Sequence, residues 1–297
     1  MREVFKWLLL FLSFLFVVGC GQSQNNNTQE KESGLPVKRA MDSCLRVGIL
    51  PTLDCLPVCL AVEEHFFANE GLSVDLQSHT AQMDCDTALI GGSADLAFSD
   101  IKHVEFLNTK RYAKLGLLGT TNASWELIAS KASRVTKVQQ LGDKMVGMTR
   151  FSATDYLTDQ VLTGVKTSSK VFKIQINDVQ IRLNMLGNNE IDAAWMPEPQ
   201  ATLARLLKCK TIKSSKEAKE KLGVLAYRNQ LLALSMAKKR LALFAKAYNA
   251  ACDSLNKNGL QYYGKLIEKY CNVNEKVIKA LPKTSYSHIQ YPSKAAQ

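Results

Sequence analysis

Donor and acceptor side chains occur where short apolar segments of this sequence end. Arg150 is followed by the hydroxyl residues Ser152 and Thr154, at the start of an amphipathic stretch. A guanidinium, hydroxyls and the free N–H groups of a helix start can together bind a carboxylate, sulfonate or phosphate. Asp54 and Asp100 have the opposite chemistry, because a carboxylate accepts hydrogen bonds from an amine or an aminopyrimidine. These residues predict a site for a polar small molecule.

The segment IDAAWMPEPQ (191–200) places an aromatic ring and a carboxylate at the end of an apolar run. Two prolines flank Glu198 and cannot donate backbone hydrogen bonds, so a strand must end there. We expect the turn to aim Trp195 or Glu198 into a cleft, where Trp195 and Phe151 could stack on a flat ring or a cation. The alternative role of each carboxylate is a helix cap or a salt bridge, and that of Trp195 is burial between helices.

The predicted ligand contacts follow the ends of predicted strands or precede predicted helices. They are Thr52, Leu53, Asp54, Ser99, Asp100, Thr121, Asn122, Arg150, Phe151, Ser152, Ala153, Thr154, Trp195 and Glu198. In parallel α/β sheets the carboxyl ends of the strands meet at one edge, where ligands bind. We expect Asp95 and Asp192 to be structural instead, because they recur just before two matching strands.

An internal repeat predicts two similar halves. Residues 94–98 (ADLAF) match residues 191–195 (IDAAW), and residues 47–48 (VG) match residues 146–147 (VG). The offsets of 97 and 99 positions are nearly equal, and the two matches keep the same order. Each half alternates short apolar strands with helices, which predicts a parallel sheet with helices on both faces.

The elements of the two halves are predicted from apolar periodicity and from Gly and Pro positions. Strands are predicted at 45–50, 72–78, 95–98, 144–149, 171–177 and 191–196, and helices at 57–68, 86–92, 152–164 and 178–187. Residues 112–120 and 125–131 are expected to carry the chain to the second half, and residues 224–236 to bring it back. Leu241, Phe244, Tyr248, Ala251 and Leu255 then mark a one-sided helix, followed by two short helices within 259–286.

The N-terminus predicts export. Two basic residues precede an apolar run from Trp7 to Val18, which has the length of a secretory signal's hydrophobic region and is short for a membrane span. The ending VVGC resembles the lipobox of bacterial lipoproteins, in which Cys20 would become the first mature residue and carry lipid. A plain secretory signal with an incidental cysteine is the alternative. We therefore expect a signal peptide over 1–19.

Composition limits the classes of partner. The polar, low-complexity residues after Cys20 predict a flexible tether over 20–43, because they cannot bury enough apolar surface to fold. The net charge is +11, with lysines concentrated in regions such as 208–221. These lysines lack the interleaved aromatics or glycine loops of a nucleic-acid surface. We expect a solvated basic face, a monomer and no nucleic-acid partner.

Seven cysteines follow Cys20, and their pairing is left open by the sequence. An exported chain can oxidise thiols, and an odd number leaves at least one unpaired. Cys55 and Cys59 could present two ligands on one helix face, but no second His or Cys pair at zinc-like spacing joins them. We expect no metal and no cofactor. The seven are Cys44, Cys55, Cys59, Cys85, Cys209, Cys252 and Cys271.

Taken together, the segments GLSVDL, ALIGGSADLAFSD and IDAAWMPEPQATLA, with the lipoprotein-like start, resemble a known family. They are similar to the ABC-transporter substrate-binding proteins of the nitrate, sulfonate, taurine and thiamine-pyrimidine-precursor group, a branch of the type II periplasmic binding proteins. The resemblance covers about residues 44–285. It implies an α/β fold of two Rossmann-like lobes joined by a two-strand hinge, with lobe 1 at 44–128 plus 225–297 and lobe 2 at 129–224.

The resemblance also implies a function. The chain would capture a sulfonate-, taurine- or aminopyrimidine-like solute in the cleft by hinge closure and deliver it to an ABC permease and its ATPase. It would perform no chemistry and would lie in the bacterial cell envelope, held to a membrane by its lipid. Two alternatives stay open: an enzyme of pyrimidine metabolism on the same fold, with Cys55, Cys59 and Cys85 as a metal or thiol centre, and a lipoprotein that senses a ligand without a permease.

Overall fold

Two five-stranded sheets with the same strand order organise the chain. The computed structural model describes residues 44–218, 220–234 and 236–291. The predicted signal peptide (1–19), the tether (20–43) and the lipidated Cys20 lie outside the described residues. None of the helices within those described ranges combines the length and the apolar character that a bilayer crossing requires.

The first sheet has the order β2-β1-β3-β10-β4. Its strands are β1 (Cys44–Ile49), β2 (Ser73–Ser78), β3 (Leu96–Asp100), β4 (Leu115–Thr120) and β10 (Gly223–Arg228). The second sheet has the order β7-β6-β8-β5-β9. Its strands are β5 (Trp125–Ala129), β6 (Met145–Met148), β7 (Phe172–Gln175), β8 (Ala193–Pro197) and β9 (Lys210–Ser214). The two halves predicted from the repeat are confirmed as two sheets of one topology.

Each sheet is mixed, which corrects the expectation of parallel sheets. In the first sheet, β10 runs antiparallel to both β3 and β4. In the second sheet, β5 runs antiparallel to both β8 and β9. Both exceptions are the first strand after the chain changes sheets, so each enters its sheet from the edge at which the other strands end.

The matched residues of the repeat determine how the central strands pair. Gly48 of β1 lies opposite Ala97 of β3, and Gly147 of β6 lies opposite Ala194 of β8. A Cβ atom on Gly48 would meet the Ala97 side chain at 3.4 Å, and one on Gly147 would meet that of Ala194 at 3.3 Å. Space is therefore tight at Gly147, where an added Cβ atom would also meet the Ile191 side chain at 2.9 Å, whereas Gly48 would make only ordinary contacts.

The aspartates of the repeat hold the beginnings of the central strands. Asp95 accepts a hydrogen bond from the backbone N–H of Arg46 at 3.0 Å, and Asp192 accepts one from Met145 at 2.9 Å. The backbone N–H of each aspartate in turn donates to the carbonyl of the same partner. These contacts agree with the structural role predicted for Asp95 and Asp192.

Helices cover both faces of the sheets. They are α1 (Leu56–Glu63), α2 (Phe66–Asn69), α3 (Gln82–Gly91), α4 (Ile101–Lys110), α5 (Ala153–Leu162), α6 (Val179–Gly187), α7 (Gln200–Leu206), α8 (Ala237–Asn258), α9 (Gly264–Cys271) and α10 (Glu275–Ala280). The single helix predicted over 57–68 is interrupted at His65, which has a left-handed backbone with φ 59°. The α8 stripe predicted from apolar periodicity is confirmed, because its members are all buried in the core beside the first sheet.

The chain passes from the first sheet to the second through residues 121–124 and returns through residues 215–222. The segment at 224–236 was expected to carry the chain back. It instead begins as β10, which already belongs to the first sheet along its whole length. The return therefore lies earlier, where a 3₁₀ helix at Ser215–Ala218 follows β9.

Candidate functional site

A cavity of about 40 Å³ lies between the two sheets, where their strands end. We call it the cleft cavity. Its walls come from both sheets, because Thr52 and Asp54 follow β1, Ser99 ends β3, and Thr149 follows β6. The edge at which the ends of parallel strands meet is the usual ligand-binding position in α/β proteins. The structure therefore brings Thr52, Asp54, Ser99 and Thr154 of the predicted contacts together at one site.

Arg182 contributes a buried positive charge to the cleft cavity. Its side chain on α6 is 2% exposed. Its guanidinium donates to the carbonyl oxygens of Ile176 and Trp195, each at 2.9 Å, and to the Thr149 hydroxyl at 2.7 Å. Burial lowers the pKa of Arg182 to about 10, so the group stays charged at neutral pH. No described carboxylate forms an ion pair with it, and its hydrogen-bond acceptors are neutral, although the nearby Asp178 carboxylate acts to raise its pKa.

Asp54 contributes a carboxyl group on another wall of the cleft cavity. The residue as a whole is half-buried. Its carboxyl group is the enclosed part, and burial raises the pKa of Asp54. The Thr121 hydroxyl donates to it at 3.4 Å. No described lysine or arginine forms an ion pair with Asp54, and it does not pair with Arg182. A buried cation and a carboxyl group without an ion-pair partner thus face one cavity.

Behind Ser99 lies a buried polar cluster. The Ser99 hydroxyl donates to Asp86 at 2.8 Å, and the Gln82 amide donates to Asp100 at 2.7 Å. The second carboxylate oxygen of Asp86 lies 3.6 Å from Nδ1 of His103, and neither atom has a hydrogen-bond partner. Burial raises the pKa of Asp86 to about 8 and lowers that of His103 to about 4. Both groups are therefore neutral in the folded protein between those values.

These two pKa shifts predict how stability depends on pH. The folded state keeps a proton on Asp86 that the unfolded state releases, so this group lowers stability as pH rises from about 4 to about 8. His103 acts in the opposite sense between about 4 and about 6.5, where the unfolded imidazole binds a proton that the folded one does not. Because the effects offset one another below pH 6.5, we expect a net loss of about 2 kcal/mol between pH 6.5 and 8.

Urea unfolding at pH 6.5 and pH 8.5 measures this loss. An Asp86→Asn variant cannot titrate at this position, so its loss of stability over the same interval should be smaller by about 2 kcal/mol. Asp143→Asn removes an exposed carboxylate that forms no ion pair with a described residue, and it serves as the control. Identical pH profiles for the wild type and Asp86→Asn would contradict the assignment.

The start of α5 is occupied by protein rather than open to a ligand. Ser152 caps the helix, with its hydroxyl accepting from the Thr154 N–H at 3.1 Å. The backbone N–H of Ala153 points at the buried carboxylate of Asp100, and this contact partly offsets the rise that burial causes in the Asp100 pKa. Arg150 is exposed and does not line the cleft cavity. The expected anion site at Arg150 and the α5 start is corrected, because Asp100 already faces that helix end.

Asp100 also has the capping role that the sequence left as its alternative. It accepts a hydrogen bond from the His103 N–H at 2.9 Å and begins α4. Its carboxylate is buried and does not line the cleft cavity.

Trp195 lies in the core of the second sheet and not in the cleft. It is 0% exposed, and its indole N–H donates to the Thr158 hydroxyl at 2.9 Å. The expectation that Trp195 contacts a ligand is corrected. The strand β8 continues to Pro197, so Trp195 stands two residues before the edge and its side chain points toward α5.

The turn after β8 reaches the cleft, but the Glu198 carboxylate is already engaged. It pairs with Arg205 at 2.6 Å and accepts from the N–H and hydroxyl of Thr202. The Glu198 carbonyl accepts from the N–H of Leu53 at 2.9 Å, which joins the turn to the loop after β1. Glu198 therefore links the two sheets instead of offering a free acceptor.

The remaining predicted contacts lie at the hinge and on the rim. Leu53 and Asn122 line a second cavity next to the cleft cavity. Phe151 is 52% exposed and stacks on Phe106 of α4, with ring centroids 4.1 Å apart. Because α4 and Phe151 belong to opposite sides of the cleft, this pair spans the cleft. Phe151 has a left-handed backbone with φ 61°, supported by a hydrogen bond from its N–H to Asp155.

The cysteines form no disulfide within the described residues, and six of the seven are buried. Burial raises the pKa of the Cys55, Cys59 and Cys85 thiols. Protonated thiols are poor nucleophiles and poor metal ligands. In the parts of the chain that the structure describes, no group of three His, Cys, Asp or Glu side chains could hold a metal ion.

A family model described as NMT1/THI5 like matches residues 52–295, which is most of the chain. The chain belongs to the NMT1/THI5-like family. The matched residues include the second sheet and every strand of the first sheet except β1, and the family resemblance predicted from the sequence is confirmed. A search of curated proteins gives no match.

Solved structures show the fold of this NMT1/THI5-like chain. The ligand-binding component of an ABC-type import system from Staphylococcus aureus, with zinc bound, is 15% identical, has a TM-score of 0.71 and covers 84% of this chain and 87% of its own. The alkanesulfonate-binding protein of Xanthomonas axonopodis pv. citri, bound to MOPS, is 14% identical with a TM-score of 0.69, covering 84% and 88%.

The periplasmic nitrate-binding protein of Synechocystis PCC 6803 is also similar. It is 13% identical with a TM-score of 0.68, covering 79% of this chain and 68% of its own. These likenesses confirm the predicted α/β, type II periplasmic binding protein fold.

Most residues that line the cleft cavity in this NMT1/THI5-like chain were missed by sequence reasoning. Among them are Gln82, Trp125, Thr149, Asn177 and Arg182. Thr149 directly follows β6, and one residue separates Asn177 from the end of β7. Both could have been predicted, because ligands bind where the strands of a parallel sheet end. Arg182 carries a clearer signal, because it shares the buried face of α6 with Val179, Leu183 and Leu186. A cation on an apolar stripe needs a polar environment inside the fold.

Proposed function

We propose that this protein is the solute-binding component of an ABC import system, which closes on a small organic solute and delivers it to a permease without chemical change. The family and the fold support this role. The observation that carries the proposal is the buried, unpaired charge of Arg182 at the closed cleft. We also propose that Cys20 anchors the mature chain to a membrane of the cell envelope.

Arg182 favours a solute with an acidic head group. Burying an isolated charge costs several kcal/mol unless an opposite charge compensates it. The carbonyl and hydroxyl acceptors around the guanidinium hold it in place without neutralising it. A sulfonate or carboxylate beside Arg182 would supply the missing charge together with charge-assisted hydrogen bonds.

Asp54 favours an amine or an amino-substituted ring in the same solute. Its carboxyl group lines the cleft cavity without an ion-pair partner among the described residues, so an ammonium or an aminopyrimidine N–H could donate a hydrogen bond to it. Trp125 adds a flat apolar wall to this cavity. The solute would thus combine an acidic group with a hydrogen-bond donor, as in a taurine-like amino sulfonate or an acidic aminopyrimidine.

A fluorescence titration tests the proposed function. Trp125 lines the cleft cavity, so solute binding should change tryptophan emission, and a Trp125→Phe variant should bind with little emission change. The solutes are simple sulfonates, amino sulfonates, aminopyrimidines and nitrate, with calorimetry as a second measurement. Absence of binding across all these classes by both methods would overturn the proposal.

The Phe106–Phe151 pair predicts how quickly a bound solute leaves. An aromatic pair contributes about 0.5–1.5 kcal/mol beyond its buried area, and this pair joins the two sides of the cleft. Phe151→Ala should raise the solute dissociation rate about 2- to 12-fold in stopped-flow fluorescence.

Two further variants isolate the rim contact. Phe106→Ala should have the same effect as Phe151→Ala, and the double variant should add little, because both remove one contact. Phe172→Ala is the control, since Phe172 is similarly exposed at the start of β7. Equal dissociation rates for Phe151→Ala and Phe172→Ala would refute a closing role for the pair.

A further inference from the structure

The cleft cavity alone is too small for an organic solute. Its volume of about 40 Å³ has room for only a few water molecules. A second cavity of about 230 Å³ adjoins it, and Asp54, Ala123 and Pro197 line both. We call it the strap chamber. A solute whose head lies at Arg182 would have to extend past Asp54 into this chamber.

The outer wall of the strap chamber is formed by residues 282–291, here called the C-terminal strap. Asparagine side chains bind its backbone on two sides. From α8, Asn256 exchanges two hydrogen bonds of 2.8 Å with the backbone of Tyr286, and Asn249 exchanges two of 2.9 Å with that of Ile289. From the crossing between the sheets, Asn122 donates to Ser285 and accepts from Ser287. These contacts give the chamber a fixed wall.

Tyr286 connects this wall to both sides of the cleft. Its hydroxyl donates to the Leu53 carbonyl at 2.9 Å, and the side chain is buried. The Leu53 N–H donates in turn to the Glu198 carbonyl at 2.9 Å, in the turn after β8. The chamber is therefore built by residues of both sheets and is complete in the closed form.

Two exposed lysines without ion-pair partners line the strap chamber from different walls, so an anion between them would contact both charges at the chamber mouth. Lys216 belongs to the 3₁₀ helix after β9, and Lys283 belongs to the C-terminal strap. Neither forms an ion pair with any described residue. Glu198 also lines this chamber, but its carboxylate is already paired with Arg205. Hydroxyls of Ser124 and Ser285 complete a set of donors suited to an anion.

We propose that the strap chamber binds the far end of the solute and that this end carries a second acidic group, bound between Lys216 and Lys283. This inference rests on the proposed function. Arg182 and the two lysines contribute three unpaired positive charges to the joined cavities, against the one unpaired carboxylate of Asp54. An extended diacid with an amine between its ends matches that distribution.

Matched amino sulfonates test the proposal by calorimetry. Taurine and homotaurine have one acidic group, whereas cysteate and homocysteate add a carboxylate to the same skeletons. We expect cysteate or homocysteate to bind the wild type at least 10-fold more tightly than its counterpart. In a Lys216→Ala/Lys283→Ala variant this gain should disappear, while affinity for the counterparts should change less than about 2-fold.

Controls separate the chamber from general electrostatics and from the proposed function. Lys166→Ala/Lys208→Ala removes two exposed lysines that line neither cavity and should leave the gain intact. If taurine or homotaurine binds but the added carboxylate gives no gain, or if both lysine pairs reduce it equally, the chamber proposal fails and the proposed function stands. If no solute of any class binds the wild type, the proposed function fails and the chamber proposal falls with it.

Discussion

An Arg182→Met variant should bind acidic solutes at least about 100-fold more weakly than the wild type. Removing one member of a buried, hydrogen-bonded charge pair costs about 2–5 kcal/mol, and 100-fold corresponds to about 2.7 kcal/mol. The loss should be large because no other described cation lines the cleft cavity. Methionine keeps much of the side-chain length, so the substitution removes the charge and its donors without opening a large void.

Arg150→Met is the matched control for this substitution. Arg150 is exposed at the start of the same helix–loop region in which the sequence predicted the anion site. Its replacement should change solute affinity by less than about 2-fold. The comparison distinguishes the buried cation from the exposed one, since both variants lose the same charge.

The stability of Arg182→Met must be measured alongside its affinity. The substitution removes donors from the Ile176 and Trp195 carbonyls and from the Thr149 hydroxyl. It also removes an uncompensated buried charge, which offsets part of that cost. Arg182→Lys keeps the charge and should retain part of the binding if the variant is folded by circular dichroism. A folded Arg182→Met protein with wild-type affinity would contradict the proposed head-group contact.

The fold was largely predictable because the repeat is made of residues with specific backbone roles. Gly48 and Gly147 permit close packing against Ala97 and Ala194, and the repeated aspartates bind the starts of the central strands. Such roles depend on local geometry and recur wherever the same unit is built. The antiparallel strands were missed, because their direction follows from the chain changing sheets and leaves no local pattern.

The side chains of the site were less predictable than its position. Strand ends do meet at the cleft, but which residues face it depends on how far each strand continues. Trp195 is buried because β8 continues two residues beyond it, to Pro197. The Asp100 carboxylate of the first sheet faces the start of α5, where the sequence predicted an anion site beside Arg150. Both outcomes depend on residues distant in sequence. The buried cation on α6 was the one signal available within a single element.

Asp95→Asn should cause the largest loss of stability among single conservative substitutions in the repeat. Asp95 is 0% exposed and accepts two hydrogen bonds from the Arg46 guanidinium, at 3.1 and 2.9 Å, and one from Arg228 at 3.1 Å. Breaking a buried ion pair by removing one partner costs about 3–5 kcal/mol. Because both arginines are partly exposed, we expect a loss of about 2–4 kcal/mol in urea unfolding.

Asp192→Asn at the matching position of the second half is the internal control. Asp192 holds the backbone of Met145 in the same way, but its side chain is 21% exposed and its one ion pair is with Lys144 at 3.2 Å. A partly exposed pair of this kind contributes at most about 1 kcal/mol. The two substitutions change the same atoms in equivalent places, so the difference between them measures the buried arginine pairs. Equal losses would show that the backbone contact, which both aspartates make, accounts for the stabilisation and that the Arg46 and Arg228 pairs add nothing.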